Sequence, residues 1–403
     1  MGNGHHHGHS HGITVSVSSH TTRVVMAILI PAMVITALAL IFLWPGRPAP
    51  LTTNGEEQRA YGEVLRIEEK PCPSGQAAPP GSQQLPCGST TIHISDGPGR
   101  DTTVTVDLPQ GPGAPKLQTG EKVVLVHVPD APPGTPEYAV IDHQRGQPMV
   151  LMLALCAAVI IAFGRWRGLT AIVGLAVSFA VLLFFVIPAI LDGEPPLLVA
   201  IVGSSAIMFA VLYLTHGVNV HTSVAILGTL ASLVLTGLLG AAFTATTQLT
   251  GFGTEESLYL SILQGNVDMR GLLLAGIIIG ALGVLDDVTV TQASTVAELS
   301  QTPTSRLELY RAATRIGRAH VASAVNTIVL AYAGAFLPLL LLVAAGGRDV
   351  SDLLTSEFLA QEIVRSAVGT IGLVAAVPIT TALAALVADI QPAPKPAHRL
   401  NER

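Results

Sequence analysis

Four oxygen-bearing side chains late in the chain stand at a spacing that a helix would bring into line. Asp287, Thr291, Ser294 and Glu298 occupy i, i+4, i+7 and i+11, so one helix face would carry all four. Asp286 precedes them, and two adjacent carboxylates can share one proton or hold a hard cation. They close an apolar run that begins at Gly271, which puts Asp286 about 22 Å into a helix at 1.5 Å per residue. A carboxylate near the bilayer centre costs roughly 2.5 kcal/mol or more, so such residues are rare and mark function. A polar stripe of this kind could line a proton or cation path. Gly276, Gly280 and Gly283 would let the helix break or pack closely. A second reading stays open. The helix could end near Leu285, with Asp286 as the N-cap of an amphipathic helix at the membrane surface. Arg306, Arg311 or Arg315 would then pair with the carboxylates.

Other polar groups are weaker candidates. Asn326 lies in the next apolar run, where a lone amide makes an interhelical hydrogen bond or meets the Asp pair. His216, Asn219 and His221 share a short link; two histidines at that spacing can ligate a metal, but no third ligand is near in sequence. His5, His6, His7, His9, His11 and His20 enrich the first residues. Imidazole suits zinc, copper and nickel, so this tail could hold a divalent metal. The alternatives are a purification tag, against which the interruption by Gly and Ser argues, and a tail that binds metals weakly without purpose. No other cofactor is expected. No Walker A motif, HExxH, CxxC or Ser/His/Asp arrangement is present, so an enzyme is the least favoured class.

The elements that must position these groups follow from composition. Half of the residues are hydrophobic and 12% are charged, against about a quarter in a soluble domain. Nucleic-acid binding has no support, because no region is strongly basic. Residues 1–23 form a polar tail. Val24–Trp44 is a first apolar span, too long for a signal-peptide core. From Pro148 the apolar runs resume: Met149–Phe163, Leu169–Ile190, Pro196–Leu214, Ser223–Phe243, Gly271–Val290, Val321–Ala345 and Val364–Val387. These seven lie within residues 147–390, and with the first they predict about eight transmembrane helices. Residues 391–403 form a second tail. Pro188, Pro338 and Pro378 read as helix ends or kinks.

Residues 45–146 differ. Pro, Gly, Thr and charge rise, and apolar residues alternate in Tyr61–Glu68, Thr90–Ser95, Thr102–Leu108, Glu121–Val128 and Tyr138–Asp142. Five short strands predict a small barrel-like domain of the OB or SH3 kind.

Loop charge predicts the orientation. One set of links and the C-terminal tail carry Arg165, Arg167, Arg306, Arg311, Arg315, Arg318, Lys395, Arg399 and Arg403. The opposite set carries nine acidic residues, Asp192, Glu194, Glu255, Glu256, Asp268, Asp349, Asp352, Glu357 and Glu362, against Arg270 and Arg348. Both termini are therefore expected in the cytoplasm of a cell (plasma) membrane, with the β domain outside. That compartment permits a disulfide between Cys72 and Cys87, worth about 3 kcal/mol for a loop of roughly fifteen residues.

The segment Gly280-Ala281-Leu282-Gly283-Val284-Leu285-Asp286-Asp287-Val288-Thr289-Val290-Thr291-Gln292-Ala293-Ser294 resembles the hallmark of the YibE/F-like family of bacterial multi-pass membrane proteins. So do Asn326-Thr327 with Ala331-Tyr332-Ala333-Gly334 and Pro338, and Gly369-Thr370-Ile371-Gly372 leading to Val377-Pro378-Ile379-Thr380. The resemblance covers about residues 60–390. It implies the architecture and little chemistry. The expected function is membrane transport along a polar path centred on Asp286 and Asp287. The alternatives are an envelope scaffold whose outer domain recruits a protein partner, and a metal-linked carrier that uses the His-rich tail. The bilayer is the expected partner of such a chain, and its oligomeric state is left open.

Overall fold

The computed structural model describes residues 19–46, 58–72, 86–111, 113–129, 136–302, 305–346 and 350–389. The chain divides into two compact units: Pro50–Phe163, and Met1–Ala49 with Gly164–Arg403.

The smaller unit is built on one antiparallel sheet. Its strands are β1 (Gln58–Lys70), β2 (Cys87–Asp96), β3 (Thr103–Asp107), β4 (Lys122–His127) and β5 (Tyr138–His143), in the order β3-β2-β1-β4-β5. Alternation places one set of side chains on a common face. Ala60, Val64, Ile92, Ile94, Val106, Val123, Leu125 and Val140 are buried together there. β1 is the central strand, with Val64 paired to Ile92 and Ala60 to Leu125. β3 and β5 are edges, and the sheet's hydrogen-bonded pairs do not join them. The expected barrel closure is therefore not confirmed. Gly88, the second residue of β2, has φ +141°, and a Cβ there would fall against the Glu68 and Glu69 backbone, so the position suits glycine. Beside it Cys87 forms a disulfide with Cys72, with α-carbons 5.0 Å apart. Helix α2 (Gly146–Gly164) follows β5, and none of its residues is buried. It is long and apolar enough to cross a membrane.

The larger unit is helical: α1 (Ser19–Phe42), α3 (Trp166–Val181), α4 (Ile187–Leu191), α5 (Pro196–His216), α6 (Val220–Thr246), α7 (Glu255–Leu263), α8 (Met269–Leu299), α9 (Arg306–Ala335), α10 (Leu337–Ala345), α11 (Val350–Leu354) and α12 (Glu357–Val387). A π-helical turn, Leu182–Val186, joins α3 to α4, and the Ile187 N–H reaches back to the Leu182 carbonyl. Pro188 follows at the start of α4; its missing N–H removes a rung of the α ladder and accommodates the extra residue.

Helices α6, α8 and α12 form the centre. Small residues let these helices approach closely, the kind of packing that holds helices together in lipid. Gly228 of α6 lies against Thr380 of α12, and Gly372 of α12 against Thr236 of α6. Buried Thr229 and Thr289 share a hydroxyl contact of 2.7 Å between α6 and α8. Buried Gln292 of α8 donates to the Ala313 carbonyl of α9 at 2.8 Å. Leu29, Met208, Leu212, Ile226, Ile278, Leu285 and Leu373 fill the apolar core around them.

Seven helices among the described residues are long and apolar enough to cross a membrane: Thr21–Phe42, Gly146–Gly164, Trp166–Leu191, Pro196–His216, Val220–Thr246, Met269–Leu299 and Glu357–Val387. The expected count of about eight is not confirmed. The run Val321–Ala345 is divided at Phe336 into the end of α9 and the short α10. Pro338 cannot donate a backbone hydrogen bond in the first turn of α10. The first half of α9 is polar and carries Arg306, Arg311, Arg315 and Arg318. Two other helices extend past their apolar runs. α8 continues from Met269 through to Leu299, and α12 begins at Glu357.

Candidate functional site

The α8 helix does not end at its carboxylates. Asp286 lies seventeen residues past Met269, about 25 Å along the axis. It is inside the helix and does not cap a new one. Asp287, Thr291, Ser294 and Glu298 all fall on one exposed face of α8. Gly276, Gly280 and Gly283 continue that face toward Met269, at the same three- and four-residue spacing. The seven positions from Gly276 to Glu298 span twenty-two residues, about 33 Å. A hydrocarbon core is about 30 Å thick.

Two helices supply polar groups opposite this face. His320 of α9 places its Nε2 3.7 Å from Oδ2 of Asp287. That is within ion-pair range when the imidazole is protonated and too long for a hydrogen bond. The Asp287 side chain is 74% exposed. Asp286 turns the other way and is partly buried, and its Oδ1 has no hydrogen-bond partner among the described residues. Its backbone carbonyl accepts from Thr289 Oγ1 at 3.1 Å. Nearer Met269, Arg365 Nη1 of α12 pairs with Glu362 Oε1 at 2.7 Å. Arg365 Nη2 lies 3.7 Å from where a Cβ on Gly276 would stand. Arg365 Nε and Glu362 Oε2 are buried without partners among the described residues. Beside them a small cavity of about 20 Å³ is lined by Gly280, Tyr332, Arg365, Ser366, Gly369 and Thr370, room for about one water.

Asn326 is exposed on α9 and makes no hydrogen bond to Asp286 or Asp287. It stands six residues beyond His320, about 240° around the helix, so the contact to α8 falls to the histidine. Asn219 caps α6. Its Oδ1 accepts from the Thr222 N–H at 2.8 Å, and its amide donates to the His216 carbonyl at 2.9 Å. His216 and His221 line a cavity together with Ser294 and Glu298. No group of three His, Cys, Asp or Glu residues suited to a metal ion occurs among the described residues. His5, His6, His7, His9 and His11 lie outside the described residues.

The sequence reading missed Arg365, Glu362 and His320. A signal for the first was available. Arg365 interrupts an apolar run, three residues after an acid that could pair with it on a helix. Starting the last span at Val364 hid that pair. For His320 there was no local signal, because its partner lies thirty-three residues earlier in the chain.

The family model described as YibE/F-like protein matches residues 152–390. The chain belongs to the YibE/F-like family. The match takes in α8, α9 and α12 with every residue of the α8 face. It starts after the sheet, so the family region is narrower than the 60–390 suggested by the motifs. Neither the curated proteins nor the solved structures yielded a match to this YibE/F-like chain.

Proposed function

We propose that this YibE/F-like chain is a membrane transport protein, and that protons or another small cation move along the exposed face of α8. One observation carries the reading: small and polar residues occupy seven successive positions of one face, over about the thickness of the hydrocarbon core. A carboxylate on that face is costly against lipid, and a hydrated groove removes the cost. Asp287 and His320 are the pair that would hand on a proton, a carboxylate and an imidazole that face each other at 3.7 Å. Arg365 and Glu362 set the charge at one end and Glu298 at the other.

Loop charge supports an orientation with both termini in the cytoplasm of a plasma membrane and the sheet outside. The Glu298 end of α8 would then face inward.

The test is proton flux into proteoliposomes that hold the purified chain and an internal pH dye, with a potential imposed by potassium and valinomycin. Wild-type chain should acidify the lumen. Asp287→Asn should lose about tenfold or more of that flux, in the range of a lost proton-transfer group, while eluting as a folded protein. Equal flux from the variant sinks the mechanism.

A scaffold is the second reading, favoured by the sheet, which belongs to a unit compact by itself and ends before the family match begins. It holds if replacing both aspartates leaves a cellular phenotype intact and deleting residues 50–145 abolishes it. Transport along α8 requires the aspartates in that comparison.

A further inference from the structure

A cavity of about 330 Å³ opens at the end of the helical unit where α5 meets α6. Its volume falls in the range of small-molecule sites, about 300–1,000 Å³. Four helices build its polar wall: Arg167 of α3, His216 of α5, His221 of α6, and Ser294 and Glu298 of α8. Asn219 and Thr222 are also there, but the helix cap occupies them.

The remaining groups divide into donors and acceptors. Arg167, His221 and Ser294 have side chains without a hydrogen bond or ion pair among the described residues. Arg167 is a permanent cation with five N–H donors, and Ser294 adds a hydroxyl. His216 can be assigned a tautomer. Thr215 Oγ1 donates its only proton to the Val211 carbonyl at 2.8 Å. His216 Nδ1, 2.7 Å from the same oxygen, must therefore supply the hydrogen of that contact. Neutral His216 then keeps a lone pair on Nε2. Glu298 accepts from Gln301 on Oε2 at 3.0 Å and keeps its other oxygen.

The wall thus offers a fixed cation with donors, and a carboxylate with a second acceptor. A bare anion would satisfy Arg167 and be repelled by Glu298. A bare metal ion would be repelled by Arg167 and lacks a ligand set. A molecule that carries both charges satisfies both. We propose that the cavity binds a small zwitterion of the amino-acid class, its carboxylate on Arg167 and its ammonium on Glu298 and His216. Ser294 and Glu298 also end the α8 face, so a zwitterion held there would sit at one mouth of the proposed cation path, and the placement rests on that reading. Binding is read without flux and therefore stands or falls separately from transport.

The experiment is thermal stabilisation of the full chain in nanodiscs by each standard amino acid, with acetate, ethylamine and inorganic phosphate as single-charge controls. At least one amino acid should raise Tm where acetate and ethylamine at the same concentration do not. Arg167→Gln and Glu298→Gln should each weaken its apparent affinity about tenfold or more, the loss of one charge-assisted contact. Both side chains are exposed, and elution volume checks that each variant is folded. Stabilisation by acetate or phosphate equal to that by the amino acid makes this an anion site and overturns the proposal. So does stabilisation by no amino acid, or binding indifferent to both substitutions.

Discussion

Whether water reaches Asp287 can be measured at that one position. Its side chain is 74% exposed on a helix long and apolar enough to cross a membrane, so in a bilayer it meets either lipid or water. The two cases differ by a large free energy. On insertion scales Asp costs about 2.5–3.5 kcal/mol at a helix centre and Leu gains about 0.3–0.6. Asp287→Leu should therefore stabilise a lipid-facing position by about 3–4 kcal/mol. In a hydrated groove the same change stays within about 0.5 kcal/mol, as at an ordinary wet surface. We expect the second result, measured as reversible unfolding in nanodiscs. A labelling experiment reads the same question by accessibility. In a Cys156→Ser background, which removes the exposed free thiol, Asp287→Cys, Thr291→Cys and Ser294→Cys should react with a charged, membrane-impermeant thiol reagent. Leu175→Cys, at a 57% exposed position of α3 among apolar neighbours, should not. A stabilisation of 3 kcal/mol or more by Asp287→Leu, with Asp287→Cys as unreactive as Leu175→Cys, would refute the hydrated path.

Other predictions test the frame around that face. Gly228→Ala places a methyl 3.0 Å from Thr380 Cβ and closer still to its hydroxyl; it should cost about 1–3 kcal/mol through overpacking. Thr380→Ala in the same chain should recover part of that loss in a double-mutant cycle. Replacing Cys72 and Cys87 by serine should destabilise the sheet unit by about 3 kcal/mol, given the fifteen-residue loop, and reductant should do the same to the wild type. In the sheet unit, the Arg145 guanidinium donates to Asp142 at 2.6 Å and, with the His143 N–H, holds the Asp142 carboxyl below its usual range. This contact therefore supports the fold above the ordinary carboxylate pKa and fades as pH falls through the lowered one. Arg145→Gln should raise the Asp142 midpoint in an NMR titration, and an unchanged midpoint would contradict the assignment.

Much of the architecture was legible in the linear chain. Of the eight apolar runs, seven fall on helices long and apolar enough to cross a membrane, because hydrocarbon thickness sets a length that composition alone reveals. Alternation in Val104 and Val106 marked β3, because strand side chains repeat every second residue. The periodicity of Asp287, Thr291, Ser294 and Glu298 placed them on one face, since any continuous helix aligns that spacing.

Three matters were decided only by the tertiary structure. Whether α8 continued through Asp286 depended on Gln292, Thr289 and Val296, which bury against α6, α9 and α12 and make the helix worth extending. Local propensity is neutral about such a helix end. The partners of the polar face, His320 and Arg365, come from other helices, and no local pattern encodes a contact across the bundle. The cavity needs Arg167, His216, His221 and Glu298 from four helices, which only the packing brings to one wall. Periodicity is a property of one helix and is written in the sequence. Juxtaposition belongs to several helices at once, so the aspartates could be found in the sequence but the groups they face could not.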